Sequence, residues 1–429
     1  MRNYVILFLL TLVVFQGCSR SDMVLEDNRW EGIVTIDETK FFIHMEAEDN
    51  TVYLSIPELL AMDIPVDDLR LSAEQWSFKI GLGTSVMRFL LTPQEVGFDG
   101  KILYDNKSGE VMLRPGRYTV EHRKLQQPPR IGESVSVAVA QGMLYGTHLV
   151  PEGEGPFPTV LIVAGSGPTD RDGNSELIVE SNDSLWLLAR RLYEAGIASV
   201  RYDKMGVGES IVDDESVLVE GTFDDYVDHA VAWLEYLESE HTTGALGVVG
   251  HSEGSLIGLL AAKAFPIDFA ISVAGNGDPI DRQMVKQIGR LDSEAAPILE
   301  KRLGEIANSM YRETDNLLVD SLVPLGRELY LQTWMAYDPS EVLRSLDMPV
   351  LVVWGDHDER LVGEDDLFRQ DNVPDSVKFV EIKNMGHLLR WAETDEDLVQ
   401  SYKNRNLPLH DQFMDTVLAF IKEQNKGDQ

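Results

Sequence analysis

Hydrophobic and polar positions follow two different patterns along the chain, and the change comes near residue 126. The first part contains short apolar runs, rich in β-branched and aromatic residues, between turn-forming residues, as is typical of antiparallel sheets. Five strands are predicted there, at 32–36, 40–45, 51–55, 76–80 and 88–91. The segment Phe98-Asp99-Gly100 is expected to be a turn between strands. We therefore predict a small antiparallel β domain over residues 30–125.

Beyond residue 126, continuous apolar runs alternate with segments of helical spacing. Strands buried on both faces have such continuous runs, so this pattern predicts an α/β fold, a mostly parallel sheet with helices on both faces. A hairpin is expected at 135–149, and further strands are expected at 159–164, 198–202, 245–249, 269–274, 349–354 and 377–382. Helices are expected at 184–194 and 223–238, with Thr222 as the cap of the second.

The alternation is interrupted at about 279–347. Amphipathic helices are predicted there at 286–291, 295–307 and 325–336. An insertion between two strands of a parallel sheet would lie over the strand ends as a helical cap. The second domain is therefore expected to span residues 126–429 and to carry this cap.

Residues 1–17 have the features of an export signal. Arg2 precedes an apolar stretch at 4–15, which has the length of a signal-peptide core and is too short to span a bilayer comfortably. We therefore expect the chain to be exported.

Cys18 directly follows this segment and is the only cysteine in the chain. With Gly17 before it, it resembles the acylated cysteine of a bacterial lipobox, so Cys18 is expected to anchor the protein to a membrane through residues 18–29 as a tether. Ser19, unlike Asp, is not a retention signal for the inner membrane, which favours the outer membrane. A soluble periplasmic or secreted protein is the alternative.

Composition narrows the possible partners. The chain has 72 Asp and Glu against 37 Lys and Arg, a formal net charge of −35, and such a surface repels the phosphates of nucleic acids. Nucleic acid is therefore excluded as a partner.

Length and composition also bear on the core. With 429 residues, 44% of them hydrophobic, the chain can bury a large core. A single cysteine leaves no structural disulfide and no Cys-based zinc site.

A candidate nucleophile lies between the apolar run 245–249 and a segment of helical spacing at 255–262. The sequence there is Gly250-His251-Ser252-Glu253-Gly254. A serine between two glycines at a strand-to-helix junction is typical of the nucleophile elbow of an α/β hydrolase, because the sharp turn leaves no room for a Cβ at either glycine. Ser252 is the predicted nucleophile.

A serine hydroxyl needs a histidine to remove its proton and an acid to orient that histidine. In this fold the chain order is serine, acid, histidine. His387 follows the last predicted strand and is the predicted base, in preference to His251 and His357. Asp358, four residues after the apolar run at 349–354, is the predicted acid, and Asp356 is the alternative.

Acyl transfer also needs hydrogen-bond donors for the oxyanion that develops on the attacked carbonyl. The residue after the nucleophile supplies one backbone N–H, here that of Glu253. The loop after the first central strand, Gly165-Ser166-Gly167, is expected to supply the second from Ser166. A dinucleotide-binding role for this loop is disfavoured because the third glycine of that motif is missing and Pro168 follows.

Three motifs together resemble those of bacterial carboxylesterases of the α/β-hydrolase superfamily, near its serine aminopeptidase-like and dienelactone hydrolase-like branches. They are the segments 164–174, 201–210 and 250–254, within a resemblance that covers about 135–425. It implies the α/β-hydrolase fold, the triad Ser252, Asp358 and His387, and oxyanion donors at Ser166 and Glu253. Ala164 and Met205 stand where the family often has histidine and arginine.

The leading hypothesis is a carboxylic-ester hydrolase that works through an acyl-enzyme on a small-molecule ester, with no metal or organic cofactor. A serine aminopeptidase-like peptidase is the alternative, in which Glu253 or a carboxylate of the cap would hold the substrate's amine. A lipid-anchored binding protein that has lost catalysis is the second alternative.

Overall fold

The computed structural model describes residues 28–36, 39–48, 51–56, 61–82, 85–94, 96–104, 107–115, 131–175, 181–214, 216, 220–310, 314, 316–323, 326–361 and 367–425. The predicted export signal, Cys18 and most of the tether lie outside these ranges. In the part of the chain that is described, no helix has both the length and the apolar character needed to cross a membrane.

The first sheet is an antiparallel meander in which the first strand pairs with the last. Its strands are β1 (Asn28–Ile36), β2 (Thr39–Glu48), β3 (Thr51–Ile56), β4 (Ala61–Pro65), β5 (Asp67–Leu71), β6 (Trp76–Leu82), β7 (Ser85–Pro93), β8 (Phe98–Tyr104) and β9 (Lys107–Pro115). The order is β4-β3-β2-β1-β9-β8-β7-β6-β5. Alternate side chains such as Val34, Phe78, Phe89 and Val111 form one buried core. The predicted antiparallel β region is confirmed.

The predicted turn at 98–100 is wrong. Phe98 begins β8 and pairs with Leu113 of β9. Its ring lies 4.6 Å from that of Trp76 and 5.2 Å from that of Trp30, measured between centroids. Burial of a large aromatic ring outweighs the local turn preference of Asp99 and Gly100.

The second sheet is mixed, and its central strands are parallel. Its members are β10 (Glu133–Val139), β11 (Gly142–Leu149), β12 (Phe157–Val163), β13 (Ala198–Tyr202), β14 (Ile211–Val212), β15 (Thr243–His251), β16 (Phe269–Val273), β17 (Val350–Gly355) and β18 (Val377–Ile382). The order is β10-β11-β13-β12-β15-β16-β17-β18, with β14 beside β11. Strand β11 pairs antiparallel with β10, β13 and β14. The neighbours in the row β13-β12-β15-β16-β17-β18 all pair parallel.

Helices cover both faces of this sheet, as predicted. They are α1 (Ser184–Glu194), α2 (Phe223–Ser239), α3 (Glu253–Ala264), α4 (Ile280–Leu291), α5 (Ala295–Ala307), α6 (Leu317–Leu322), α7 (Glu328–Trp334), α8 (Pro339–Arg344), α9 (Asp395–Lys403) and α10 (Asp411–Gln424). One core joins α2 and α3 to the sheet through residues such as Trp233 and Ile257. A second joins α1 and α10 through Leu188 and Phe413. Thr222 caps α2 as predicted.

The insertion between β16 and β17 contains α4 to α8, and α4 to α7 form a core of their own around Leu299, Leu303 and Val319. Arg369 joins two parts of the insertion. It contacts Asp278, where the insertion starts, and donates to Asp338, which caps its last helix α8, with N···O distances of 3.6 and 2.6 Å. These contacts tie the start of the cap to the start of α8.

Candidate active site

Ser252 lies at a strained corner between β15 and α3. Its φ of 56° and ψ of −121° are unusual for a residue with a side chain, and its N–H donates to the Val273 carbonyl oxygen at 2.9 Å. A Cβ at Gly250 would lie 2.0 Å from the carbonyl oxygen of Gly254, and one at Gly254 would lie 2.4 Å from that of Val163. The two glycines therefore make this corner possible, and the serine side chain remains partly exposed.

His387 and Asp358 lie beside this serine. The Nε2 of His387 is 3.1 Å from Ser252 Oγ, and its Nδ1 is 3.0 Å from both carboxylate oxygens of Asp358. The Asp358 side chain is fully buried. The three side chains thus form a continuous chain of hydrogen-bonding contacts, although 135 positions separate the serine from the histidine.

Burial and neighbouring charges shift the pKa of His387 in opposite directions. Burial lowers its pKa and is the largest single effect, but the charge and hydrogen bond of Asp358, with the charge of Glu359, outweigh it. The net result is a pKa above 6.5. The imidazole is therefore a stronger base than a free histidine and is stabilised once it carries a proton.

Asp356, the alternative acid, faces elsewhere. Its Oδ1 accepts from the N–H of Asn384 at 2.6 Å and lies 2.8 Å from His357 Nδ1. Asp356 therefore holds the loop that carries His387 and also contacts the ring of His357. Of the two candidate acids, Asp358 is the one in contact with the predicted base.

His251 and Glu359 fix the main chain of the histidine loop. The Nε2 of His251 lies 2.9 Å from the carbonyl oxygen of His387, and because a carbonyl only accepts, this nitrogen carries the proton. Burial, the largest effect, lowers the pKa of His251 to about 4, so the ring stays neutral. Glu359 accepts from the His387 N–H at 3.5 Å and from the hydroxyl of Tyr402. Sequence reasoning missed Glu359, although its place beside Asp358 was a usable signal.

The glycine-rich loop after β12 passes directly over the serine. A Cβ at Gly165 would lie 3.1 Å from the Cβ of Ser252. Ser166 is exposed, and its carbonyl accepts from Thr169 Oγ1 at 3.0 Å, which braces the loop where Ala164 offers no polar side chain. Glu253 is the first residue of α3, where N–H groups have no acceptor one turn back.

Charged residues that follow hold the loop, and four of them form two buried ion pairs. Asp203 accepts from the N–H and the guanidinium of Arg171 at 2.8 and 2.5 Å. Arg201 donates to Asp172 at 2.9 Å, with both side chains 1% exposed. Asp170 accepts two loop N–H groups at 2.9 Å. Arg171 thus supplies the cation that pairs with Asp203, two residues before Met205.

Two side chains near Ser252 were not recognised from the sequence. The ammonium of Lys204 lies 3.0 Å from a carboxylate oxygen of Glu253, and Tyr330, in α7, is close enough to that carboxylate for the Glu253 charge to raise the pKa of its hydroxyl. Lys204 follows the end of β13, and strand ends are where site residues of this architecture lie, so a signal existed. Nothing in the local sequence of Tyr330 indicated the contact.

The cap also contacts the loop that carries the acid. Gln283 and Gln287, one turn apart on α4, both donate to the carbonyl oxygen of Arg360, at 3.4 and 3.1 Å. The cap therefore reaches the ends of both β15 and β17. Within the described ranges, no three His, Cys, Asp or Glu side chains are grouped in a way that could hold a metal ion.

Similarity to known proteins agrees with this architecture. Esterase EstD of Thermotoga maritima is 25% identical over 263 residues, which are 61% of this chain and 61% of that protein. The chain therefore spans less than two thirds of the length of this relative.

Two solved structures align with similar coverage. GrgF from Penicillium sp. covers 69% of this chain and 100% of its own, with 16% identity and a TM-score of 0.46. Est1E from Butyrivibrio proteoclasticus covers 68% of this chain and 99% of its own, with 18% identity and a TM-score of 0.40. Likeness at this level concerns the fold alone. A sequence profile of the alpha/beta hydrolase family matches residues 160–400, more than half of the chain, and the chain belongs to that family.

Proposed function

We propose that the protein is a serine hydrolase that cleaves carboxylic esters of small molecules through an acyl-enzyme. The observation that carries the proposal is the contact of His387 Nε2 with Ser252 Oγ at 3.1 Å while Nδ1 faces the buried Asp358. The similarity to a protein named esterase EstD supports the choice of esters.

In the first half of the reaction, Ser252 Oγ attacks the ester carbonyl carbon as His387 Nε2 takes its proton. The carbonyl oxygen becomes an oxyanion, which the N–H groups of Glu253 and Ser166 stabilise. Asp358 orients the imidazole and stabilises its positive charge. Collapse of the tetrahedral intermediate breaks the bond to the alcohol oxygen, which takes the proton from His387 and leaves an acyl-serine.

In the second half, His387 removes a proton from water, and the resulting hydroxide attacks the acyl carbonyl. The second tetrahedral intermediate expels Ser252 Oγ, which takes the proton back. The carboxylic acid is released and the starting enzyme is restored. This scheme uses only side chains and backbone groups of the chain, together with water.

The surroundings of Glu253 favour an ester over a peptide with a free amino terminus. An aminopeptidase needs a carboxylate with spare charge to bind the substrate's ammonium group. Glu253 is the carboxylate nearest to Ser252 in sequence, but its side chain is 2% exposed and already bonded to Lys204. A second cation at the same carboxylate would have to displace Lys204, which disfavours a peptidase that uses Glu253 to hold the amine.

The test compares short-chain 4-nitrophenyl esters with aminoacyl 4-nitroanilides. We expect turnover of the esters and at least ~100-fold weaker turnover of the anilides, with both lost in Ser252→Ala because no other group can form the acyl-enzyme. Preferential anilide turnover would reverse the choice of substrate. Failure of a fluorophosphonate to label Ser252 in the folded protein would favour the inactive binding protein.

We also propose that Cys18 is acylated and holds the enzyme at the outer membrane. The sequence pattern Gly17-Cys18-Ser19 after an apolar stretch supports this. Cells fed radiolabelled palmitate should label the wild-type protein in the outer-membrane fraction. Cys18→Ala should abolish the label and release activity into the soluble fraction, whereas label retained in Cys18→Ala would contradict the proposal.

A further inference from the structure

A charged pair includes Glu253, the residue that directly follows the predicted nucleophile. The side chains of Lys204 and Glu253 are 5% and 2% exposed, and their charged atoms are 3.0 Å apart. Such a pair is weak evidence for stability, because the cost of removing two charges from water offsets much of their attraction. Its position is informative, since Glu253 follows Ser252 and its N–H is one of the two proposed oxyanion donors.

Tyr330, in helix α7 of the cap, lies near this pair. Burial and the nearby charge of Glu253 raise the pKa of the Tyr330 hydroxyl well above its ordinary value, so it remains protonated and able to donate to that carboxylate. The Tyr330 ring packs edge-on against Tyr226 at 5.6 Å, and the Lys204 ammonium lies 5.2 Å from the centroid of the Tyr226 ring. The Glu253 carboxylate is thus paired with Lys204, and Tyr226 joins this pair to Tyr330 of the cap.

The same contacts extend to the cap and to the oxyanion loop. In α7, Thr333 Oγ1 accepts from the N–H of Phe223 at 2.8 Å, which fixes the helix that carries Tyr330. On the other side, the N–H of Lys204 donates to the Thr169 carbonyl oxygen at 3.5 Å. Thr169 is also the residue that braces Ser166. Lys204 therefore contacts the oxyanion loop through its backbone and the elbow residue Glu253 through its side chain.

We propose that Lys204 and Tyr330 are positioning residues that hold the Glu253 side chain and thereby align the Glu253 N–H with the developing oxyanion. This rests on the proposed function. Two physical effects act together. A side chain fixed from both sides restricts rotation of the peptide that carries the N–H. In addition, the Lys204 charge cancels that of the carboxylate, which by itself would repel a negative oxyanion nearby.

The electrostatic part predicts a specific pattern of rescue. Lys204→Met leaves a carboxylate without its cation, and we expect kcat to fall ~100-fold, about the loss that follows removal of one oxyanion donor. Glu253→Gln removes the charge and keeps the shape, so we expect a fall of only about fivefold. The double variant should recover to within about tenfold of wild type, because residues in contact are not additive. A role of the Lys204 side chain in packing alone, independent of its charge, would make the double variant at least as poor as Lys204→Met.

Tyr330→Phe tests the contact from the cap and is the variant least harmful to folding. We expect kcat to fall about tenfold with KM unchanged, because the aligned N–H matters more in the transition state than in the bound substrate. The matched control is Tyr337→Phe. Its hydroxyl donates to another carboxylate, Asp224, in the same aromatic cluster but away from the elbow, so kcat should stay within about twofold of wild type.

The measurements are kcat and KM for 4-nitrophenyl acetate and the rate of fluorophosphonate labelling, well below each variant's melting temperature. Equal kcat values for Tyr330→Phe and Tyr337→Phe would overturn the inference, as would a double variant no better than Lys204→Met. If Lys204→Met does not fold, the Tyr330 comparison alone decides. Wild-type protein that neither hydrolyses esters nor becomes labelled at Ser252 would instead overturn the proposed function.

Discussion

Replacing Asp358 with Asn tests the charge that the structure places next to the base. When His387 takes the proton of Ser252 it becomes a cation whose Nδ1 is 3.0 Å from both oxygens of Asp358. At an effective dielectric constant of about 20, an ion pair at 3.0 Å is worth roughly 5.5 kcal/mol. Each ~1.4 kcal/mol is a factor of ten in rate, so we expect Asp358→Asn to lower kcat about 10⁴-fold.

The matched control is Asp356→Asn, which removes the same charge from the same loop. Asp356 contacts Asn384 and His357 instead of the base, so its loss should lower kcat less than about tenfold. Both variants are assayed with 4-nitrophenyl acetate, and circular dichroism verifies that they are folded. A larger loss in Asp356→Asn than in Asp358→Asn would refute the assignment of the acid.

The pH profile gives an independent measure of the same contact. Neutral imidazole is the base, so kcat/KM of the wild type should rise with pH through an apparent pKa above 6.5. In Asp358→Asn burial would dominate, and this midpoint should move to lower pH. By linkage, the raised pKa of His387 contributes stability below about pH 6.5 that is lost as the pH rises through the folded pKa, and Asp358→Asn should lack that contribution.

Three further predictions concern packing and the cap. Gly250→Ala places a Cβ 2.0 Å from a backbone oxygen of α3 and should prevent soluble expression, whereas Gly304→Ala, with open space around it, should raise stability by up to ~1 kcal/mol. Thr222→Ala removes the reciprocal cap of α2, so its melting temperature should fall by a few degrees, and an unchanged value would contradict the capping role. Arg369→Met removes the contacts that join the start of the insertion to α8 and should speed proteolysis within the insertion, while Lys378→Met, which breaks an exposed ion pair, should not.

The local pattern of apolar residues predicted much of the fold. The continuous apolar runs of the second sheet predicted six strands, and each is present to within about two residues at either end. A strand buried on both faces leaves this periodicity in the sequence regardless of its partners. The elbow was equally readable, because the steric demand of the turn falls on Gly250 and Gly254 themselves.

Where contacts with distant residues decide the conformation, the pattern of apolar residues was insufficient to predict the secondary structure. Strands β4, β5, β8 and β9 were not predicted, and Phe98-Asp99-Gly100 was taken for a turn because local preference favours it. The core around Trp30 and Trp76 draws Phe98 into a strand instead. The cap likewise contains α6, whose six residues are too short to show a helical period.

By itself the sequence determined which residue types could do chemistry and in what order along the chain. It favoured Asp358 over Asp356 as the acid without settling the choice, since both follow the same strand. Only the tertiary structure decided that, and it brought Tyr330 and Lys204 to Glu253. The physical reason is that periodicity and turn sterics act between neighbours in the chain, whereas a hydrogen bond between distant residues exists only once the sheet and cap are folded.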